Sequence, residues 1–168
     1  EVEPEMLEGF DSISALRVNE LRCAAGILGL KGVHFLDYRD SGMPGSEDNH
    51  HPQALAAAPL DEVAAKVTHY IRELRPQVVL TFDPIGGYRH PDHIAIQLAT
   101  EKAFYAAGDP QMYPGEHPPY QPAKLYYHTI PKGFLRWAVR AMPLFGVDPS
   151  KFGQNGDIDL RALAAEDF

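Results

Sequence analysis

Apolar positions along the chain change period several times, and the changes divide it into elements. Across residues 12–28, Ile13, Leu16, Leu21, Ala24, Ala25 and Leu28 recur mostly three or four apart, as one face of a helix requires. Asp11 or Ser12 can cap its start, and Gly29 suits the left-handed position just past its end. Residues 33–38 are short-run, β-branched and aromatic, and predict a strand. Residues 39–59 are rich in Gly, Pro, Asp and His and predict a long loop, of a length (over about 15 residues) that in compact domains is usually functional. Residues 60–75 carry the clearest helical stripe, Val63, Val67, Tyr70, Ile71 and Leu74, closed by Arg75-Pro76. The nearly unbroken apolar run QVVLTF at 77–82 predicts a parallel strand buried on both faces. A Gly-rich turn at 83–90, a helix at 91–106 and a strand at 124–130 follow. The acidic residues 1–11 read as a loop, and the tail from Gly133 shows no firm period despite Trp137 and Phe145.

Strands alternating with amphipathic helices predict an α/β fold, a mainly parallel sheet flanked by helices. In such sheets ligands sit beyond the carboxyl ends of the strands, which directs attention to the segments after Tyr38 and after Phe82. A length of 168 residues fits one domain with a sizeable core. The net charge of −8 argues against nucleic acid, whose phosphates demand clustered Lys and Arg. No apolar run approaches the roughly 20 residues that span a bilayer, and with one cysteine, Cys23, an intrachain disulfide framework is excluded. Together these features predict a cytoplasmic-type chain. Cys23 lies within the first helix, where a small buried thiol is the simpler reading than a nucleophile.

The most informative stretch is DPIGGYRHPDH at 83–93. Pro91 suits the first position of a helix, which puts His90 at the N-cap and His93 in the first turn. Residues three apart share a helix face, so both imidazoles can point into one cleft. Asp92 can accept from a ring N–H and fix a tautomer, and Gly86 and Gly87 let backbone approach a ligand. The pair alone is weak as a metal motif, since two imidazoles at a helix start can equally be capping, solvated residues. Catalytic zinc usually has three protein ligands, so the pair requires others from elsewhere. His50 and His51 are adjacent in the long loop and suit a polar surface; His34, His69 and His117 read as structural or surface residues. His128, on the last strand, is the one further histidine that could reach a cleft. In the second segment, YRDSGM at 38–43, Asp40 suits hydrogen bonding to substrate hydroxyls or an Asx-type turn beside a surface Arg39. Arg17 and Glu20 ordinarily form a solvated helix face. The sequence holds no nucleophile elbow, Walker loop or dinucleotide fingerprint.

With these residues quoted, the chain resembles a known family. YRHPDH after QVVLTFDPIGG, together with YRDSGM and the ELRCAAGILGL helix, resembles the PIG-L/LmbE-like N-acetylglucosaminyl deacetylases, in the branch of the mycothiol-pathway deacetylase and the mycothiol-conjugate amidase. The resemblance covers roughly residues 10–130 and implies a Rossmann-like sheet, incomplete at its N-terminus, in a single partial domain over 1–168 whose 131–168 tail packs in a way the sequence leaves open. It implies a Zn2+-dependent hydrolase, with Fe2+ as the other metal His and Asp ligands accept. In it, water is activated by metal for removal of an N-acetyl group from a GlcNAc-containing glycoside. His93 would be a metal ligand and His90 the imidazole that stabilises the oxyanion and protonates the leaving amine. Asp92 would orient His90, Tyr88 would polarise the carbonyl, and Arg17, Asp40 and Met43 would line the substrate pocket. The family's first signature, a His-Pro-Asp-Asp run supplying two more ligands and a general base, is not in these 168 residues. The expectation is therefore that the first βαβ portion is missing and that this chain alone is not a competent enzyme. Two other readings stand beside it: an amidase acting on thiol conjugates, and a non-catalytic sugar-binding remnant. The implied partners are small molecules, with homo-oligomerisation left open.

Overall fold

The computed structural model describes residues 9–153, 156 and 158–165, so most of the acidic N-terminal loop and the last three residues lie outside it. The chain forms two compact units, Glu1–Asp37 and Tyr38–Phe168. In the first, helix α1 (Ile13–Ile27) starts where Ser12 Oγ accepts the Ala15 N–H at 3.1 Å. It ends in a Schellman motif: Gly29 takes φ +69°, Leu30 N–H donates to Ala25 O at 2.9 Å and Gly29 N–H to Gly26 O at 3.2 Å. Cys23 is exposed on this helix, not buried. Residues 33–38 do not form the predicted strand. A strand exists only as one side of a ladder, and among the described residues none runs beside this segment.

The second unit is built on two parallel strands, β1 (Val78–Phe82) and β2 (Lys124–His128), in register from Val78 opposite Lys124 to Phe82 opposite His128. Helix α2 (Leu60–Leu74) precedes β1; a tight non-helical turn, α3 (Gly86–Arg89), with positive φ at Gly86, Gly87 and Arg89, and helix α4 (Pro91–Ala106) connect the strands, so the fold is the α/β arrangement predicted. Because side chains alternate along a strand, Val79 points to the helical layer, where it packs with Val67 and Tyr120 on a core of Ile71, Ala103 and Ala107. On the opposite face, among the described residues of this unit, Leu80 is 72% exposed, with Val78 and Tyr126 exposed beside it. The expectation of a strand buried on both faces is thus corrected. Among the described residues of this unit, helices cover one side of the two-stranded sheet, and Val78, Leu80 and Tyr126 are exposed on the other.

Arg72 is the polar hub of this layer. It is 4% exposed, and its guanidinium lies within hydrogen-bonding distance of five carbonyl oxygens, those of Ala106, Ala107, Asp109, Met112 and Tyr113. It thereby fixes the path of the chain as it leaves α4. The tail has more structure than its sequence predicts: α5 (Lys132–Ala141), a 3-10 turn at Met142–Phe145 and α6 (Leu160–Ala165). Leu135 packs with Leu163 and Ala164, and Arg136 Nε donates to Ala164 O at 3.0 Å. Ile85 and Tyr88 pack against the same cluster, so the tail buttresses the turn that follows β1. No helix among the described residues is long and apolar enough to cross a membrane.

Candidate active site

The turn after β1 is held from below by Asp83, which is 6% exposed. Its backbone carbonyl accepts the Gly86 N–H at 2.8 Å and its carboxylate accepts the Gly87 N–H at 2.8 Å. Gly86 and Gly87 both sit at positive φ, +66° and +71°. Gly86 is also forced by space: a Cβ there would stand 2.9 Å from Ile94 Cγ1 and 3.0 Å from His93 Cβ. The chain then enters α4 with His90 as N-cap and Pro91 in the first turn, as the spacing predicts.

This start places Tyr88, His90 and His93 together. The two imidazoles are tilted with centroids 4.8 Å apart, and the Tyr88 ring meets His90 edge-on at 5.9 Å and His93 at 5.1 Å. His93 stacks on Phe82 at 3.9 Å, while His128 meets the edge of Phe82 at 6.4 Å, one ring removed from the pair. His93 Nδ1 lies 3.1 Å from Gly86 O, a contact that requires the proton on Nδ1 and leaves Nε2 with a free lone pair. Burial, and then the neighbouring His90, lower the His93 pKa against the raising effect of the Gly86 carbonyl, so the neutral ring is favoured. His90 has the other tautomer: its Nδ1 accepts the Asp92 N–H at 3.2 Å, so the neutral ring carries its proton on Nε2.

Asp92 does something the sequence reading did not anticipate. Its carboxylate accepts the Ser41 N–H at 3.0 Å and the Ser41 hydroxyl, rather than an imidazole N–H. Ser41 is fully buried, and its Oγ also accepts the Ala56 N–H at 2.9 Å. Asn49 completes the loop, donating to the carbonyls of Ser41 and Met43 and accepting the Gly45 N–H. The two segments singled out by the strand-end rule are in this way tied together across 51 residues of sequence. Asp40 accepts the Gly42 N–H at 2.7 Å, an Asx-type turn, and still offers a carboxylate oxygen within 4.8 Å of donor atoms of His90 and Asp92. Met43 is half-buried in the same loop, and a cavity of about 520 Å³ opens beside it, lined by Pro44, Asn49, Leu55, Arg89, Pro91 and Ile94 among others. Neither imidazole lines that cavity, although Arg89 and Pro91, their neighbours in sequence, do. Arg17 belongs to the other unit, where it pairs with Glu20 at 2.8 Å on the exposed face of α1. Ser41, Asn49 and Asp83 were missed from sequence; a small polar residue directly after Asp40 and an Asp closing a buried strand were the only signals.

Geometry thus defines a class: an α/β domain whose centre is a pair of imidazoles at a helix start, behind a Gly-Gly turn at the carboxyl end of a parallel strand. Residues 2–104 match the family model described as PIG-L, GlcNAc-PI de-N-acetylase, and the chain belongs to that family. It is 38% identical over 171 residues to a 1D-myo-inositol 2-acetamido-2-deoxy-alpha-D-glucopyranoside deacetylase of Geodermatophilus obscurus, covering 99% of this chain and 58% of that protein. A relative of the same name from Streptomyces avermitilis is 43% identical over 135 residues, covering 75% of this chain and 46% of its own. The chain therefore spans about half the length of the curated relatives it matches. A conserved protein of Thermus thermophilus shares the fold, with a TM-score of 0.51 at 24% identity over 77% of this chain and 47% of its own.

Proposed function

We propose that the full-length protein hydrolyses the N-acetyl amide of a GlcNAc-containing glycoside, a 2-acetamido sugar joined to inositol being the substrate class that the relatives' names suggest. The observation that carries the reading is the opposite tautomers that their backbone partners impose on His90 and His93, two imidazoles whose centroids lie 4.8 Å apart.

The donor set suits a divalent metal. His93 Nε2 is an unprotonated imidazole nitrogen on a ring pinned to Gly86, and the carboxylates of Asp40 and Asp92 lie beside the neighbouring His90, with atoms of those three residues within 4.8 Å of one another. His93 would hold the ion from this chain, with Zn2+ as our assignment. When bound, such an ion polarises the amide carbonyl and makes water a nucleophile near neutral pH. His90 Nε2–H then faces the carbonyl oxygen as a hydrogen-bond donor, worth most where negative charge develops. Tyr88, whose ring meets both imidazoles, would supply a phenolic donor. Asp92 acts through structure: by gripping Ser41 it sets the Asp40 loop against the start of α4, and its backbone N–H fixes the His90 tautomer. Asp40 then offers a carboxylate to sugar hydroxyls.

Amine release from a GlcNAc-inositol glycoside, measured with and without a chelator, tests this reading. Chelator-sensitive release is expected, and restoration by Zn2+. Absence of release from the metal-loaded protein, with release from a thiol-conjugate amide instead, would move the substrate assignment to the amidase reading. Activity on neither would overturn the hydrolase.

A further inference from the structure

A second cluster of metal-ligating side chains lies away from the imidazole pair. His69 and Glu73 are four apart on α2, which puts them on one face, and His69 Nε2 stands 3.7 Å from Glu73 Oε2. The segment after α4 brings His117 to the same place, with its ring centroid 4.9 Å from that of His69. One donor atom from each of the three residues lies within 4.8 Å of the other two. His69 and His117 border a cavity of about 180 Å³ whose wall also includes Glu116 and Arg72. We propose that His69, Glu73 and His117 form a second site for a divalent transition-metal ion, independent of the proposed hydrolytic centre.

Two imidazoles and a carboxylate are donors that suit Zn2+, Cu2+, Ni2+ and Fe2+ rather than Ca2+ or Mg2+. With metal–ligand bonds of about 2.0–2.2 Å, tetrahedral donors stand roughly 3.3–3.6 Å apart. The His69–Glu73 pair is already near that spacing, and His117 needs only side-chain rotation to reach it. Side chains of His69 and Glu73 are 47% and 38% exposed, so the ion keeps open positions for water. The cation in the cavity wall, Arg72, is engaged with five backbone carbonyls, and Glu73 with Glu116 offsets it. Those same bonds hold residues 106–113 and so deliver His117 to α2. An ion there would clip the 114–117 segment to the helix.

The test uses the metal alone as probe. Full-length protein carrying His93→Ala is stripped of metal and titrated with Cu2+, with binding read by calorimetry and by electron paramagnetic resonance. One equivalent is expected, with splitting from two imidazole nitrogens. Adding His117→Ala or His69→Gln should weaken that equivalent by about 100-fold or more and reduce the nitrogen splitting, with unchanged circular dichroism. Both positions are on the surface side of the fold, and Glu73→Gln provides a third variant should either unfold. Equal stoichiometry and spectra in parent and variants would overturn the proposal.

Discussion

Single residues carry more of this site than their chemistry suggests. Ser41 has no catalytic reactivity in its surroundings, yet its hydroxyl and amide hold Asp92 and its Oγ receives Ala56. Ser41→Ala removes two hydrogen bonds in a buried position and should cost about 1–3 kcal/mol, read as a lower urea midpoint at unchanged slope. Arg72 is a stronger case, since its removal breaks a buried guanidinium's bonds to five carbonyls, of which those of Met112 and Tyr113 have no backbone partner among the turn and loop bonds. Arg72→Met should destabilise by about 3 kcal/mol or more, and Arg72→Lys should recover little, because an ammonium lacks the planar fork. A midpoint unchanged in Arg72→Met would show that the guanidinium contacts are not maintained in solution.

Among the elements, the join between β1 and α4 decides whether two imidazoles become a site. Much of it was legible: the apolar run predicts β1, the Gly-Gly pair predicts the turn, and Pro91 with the His-x-x-His spacing predicts the helix start and the shared face. What spacing does not contain is the partner of Asp92, which lies 51 residues away and depends on how the 39–59 loop folds round Asn49. His69 and His117 were set aside from sequence for the same reason, being brought together by Arg72 and not by any local repeat. Helix α5 was illegible on other grounds. Its apolar residues do share one face, opposite Arg136 and Arg140, but the helix is only ten residues long and just Leu135 and Val139 pack inward while Phe134 and Trp137 are exposed. The join itself is open to test. Gly86→Ala combines positive φ, at about 1 kcal/mol, with a Cβ driven against His93 and Ile94. Metal affinity should fall by more than the modest stability loss accounts for; affinity equal to the parent's would mean that the Gly86–His93 approach does not position the ligand.

At the scale of the whole molecule, the family and the α/β fold are settled, and both units have their own reasons for folding as they do. Resemblance of the quoted motifs to the deacetylases anticipated the family, because those motifs cluster where an α/β sheet presents its chemistry. The interior was anticipated less well. A run of apolar residues was read as burial on two faces, whereas among the described residues of the second unit Leu80 and Tyr126 are exposed. Periodicity reports that a strand can be buried, and only the neighbouring layers decide whether it is. The division of labour between the two imidazoles remains the centre of the functional account, and it is a property of the assembled unit rather than of either ring.

The most direct test of that division compares His90→Ala and His93→Ala in the full-length protein, with metal content and amine release measured on the same samples. His93→Ala should bind no ion at the proposed catalytic centre and show no release. His90→Ala should keep an ion there while turnover falls by about 100-fold or more, the loss typical of removing a donor to a developing oxyanion. Metal retained and turnover normal in both variants would contradict the account.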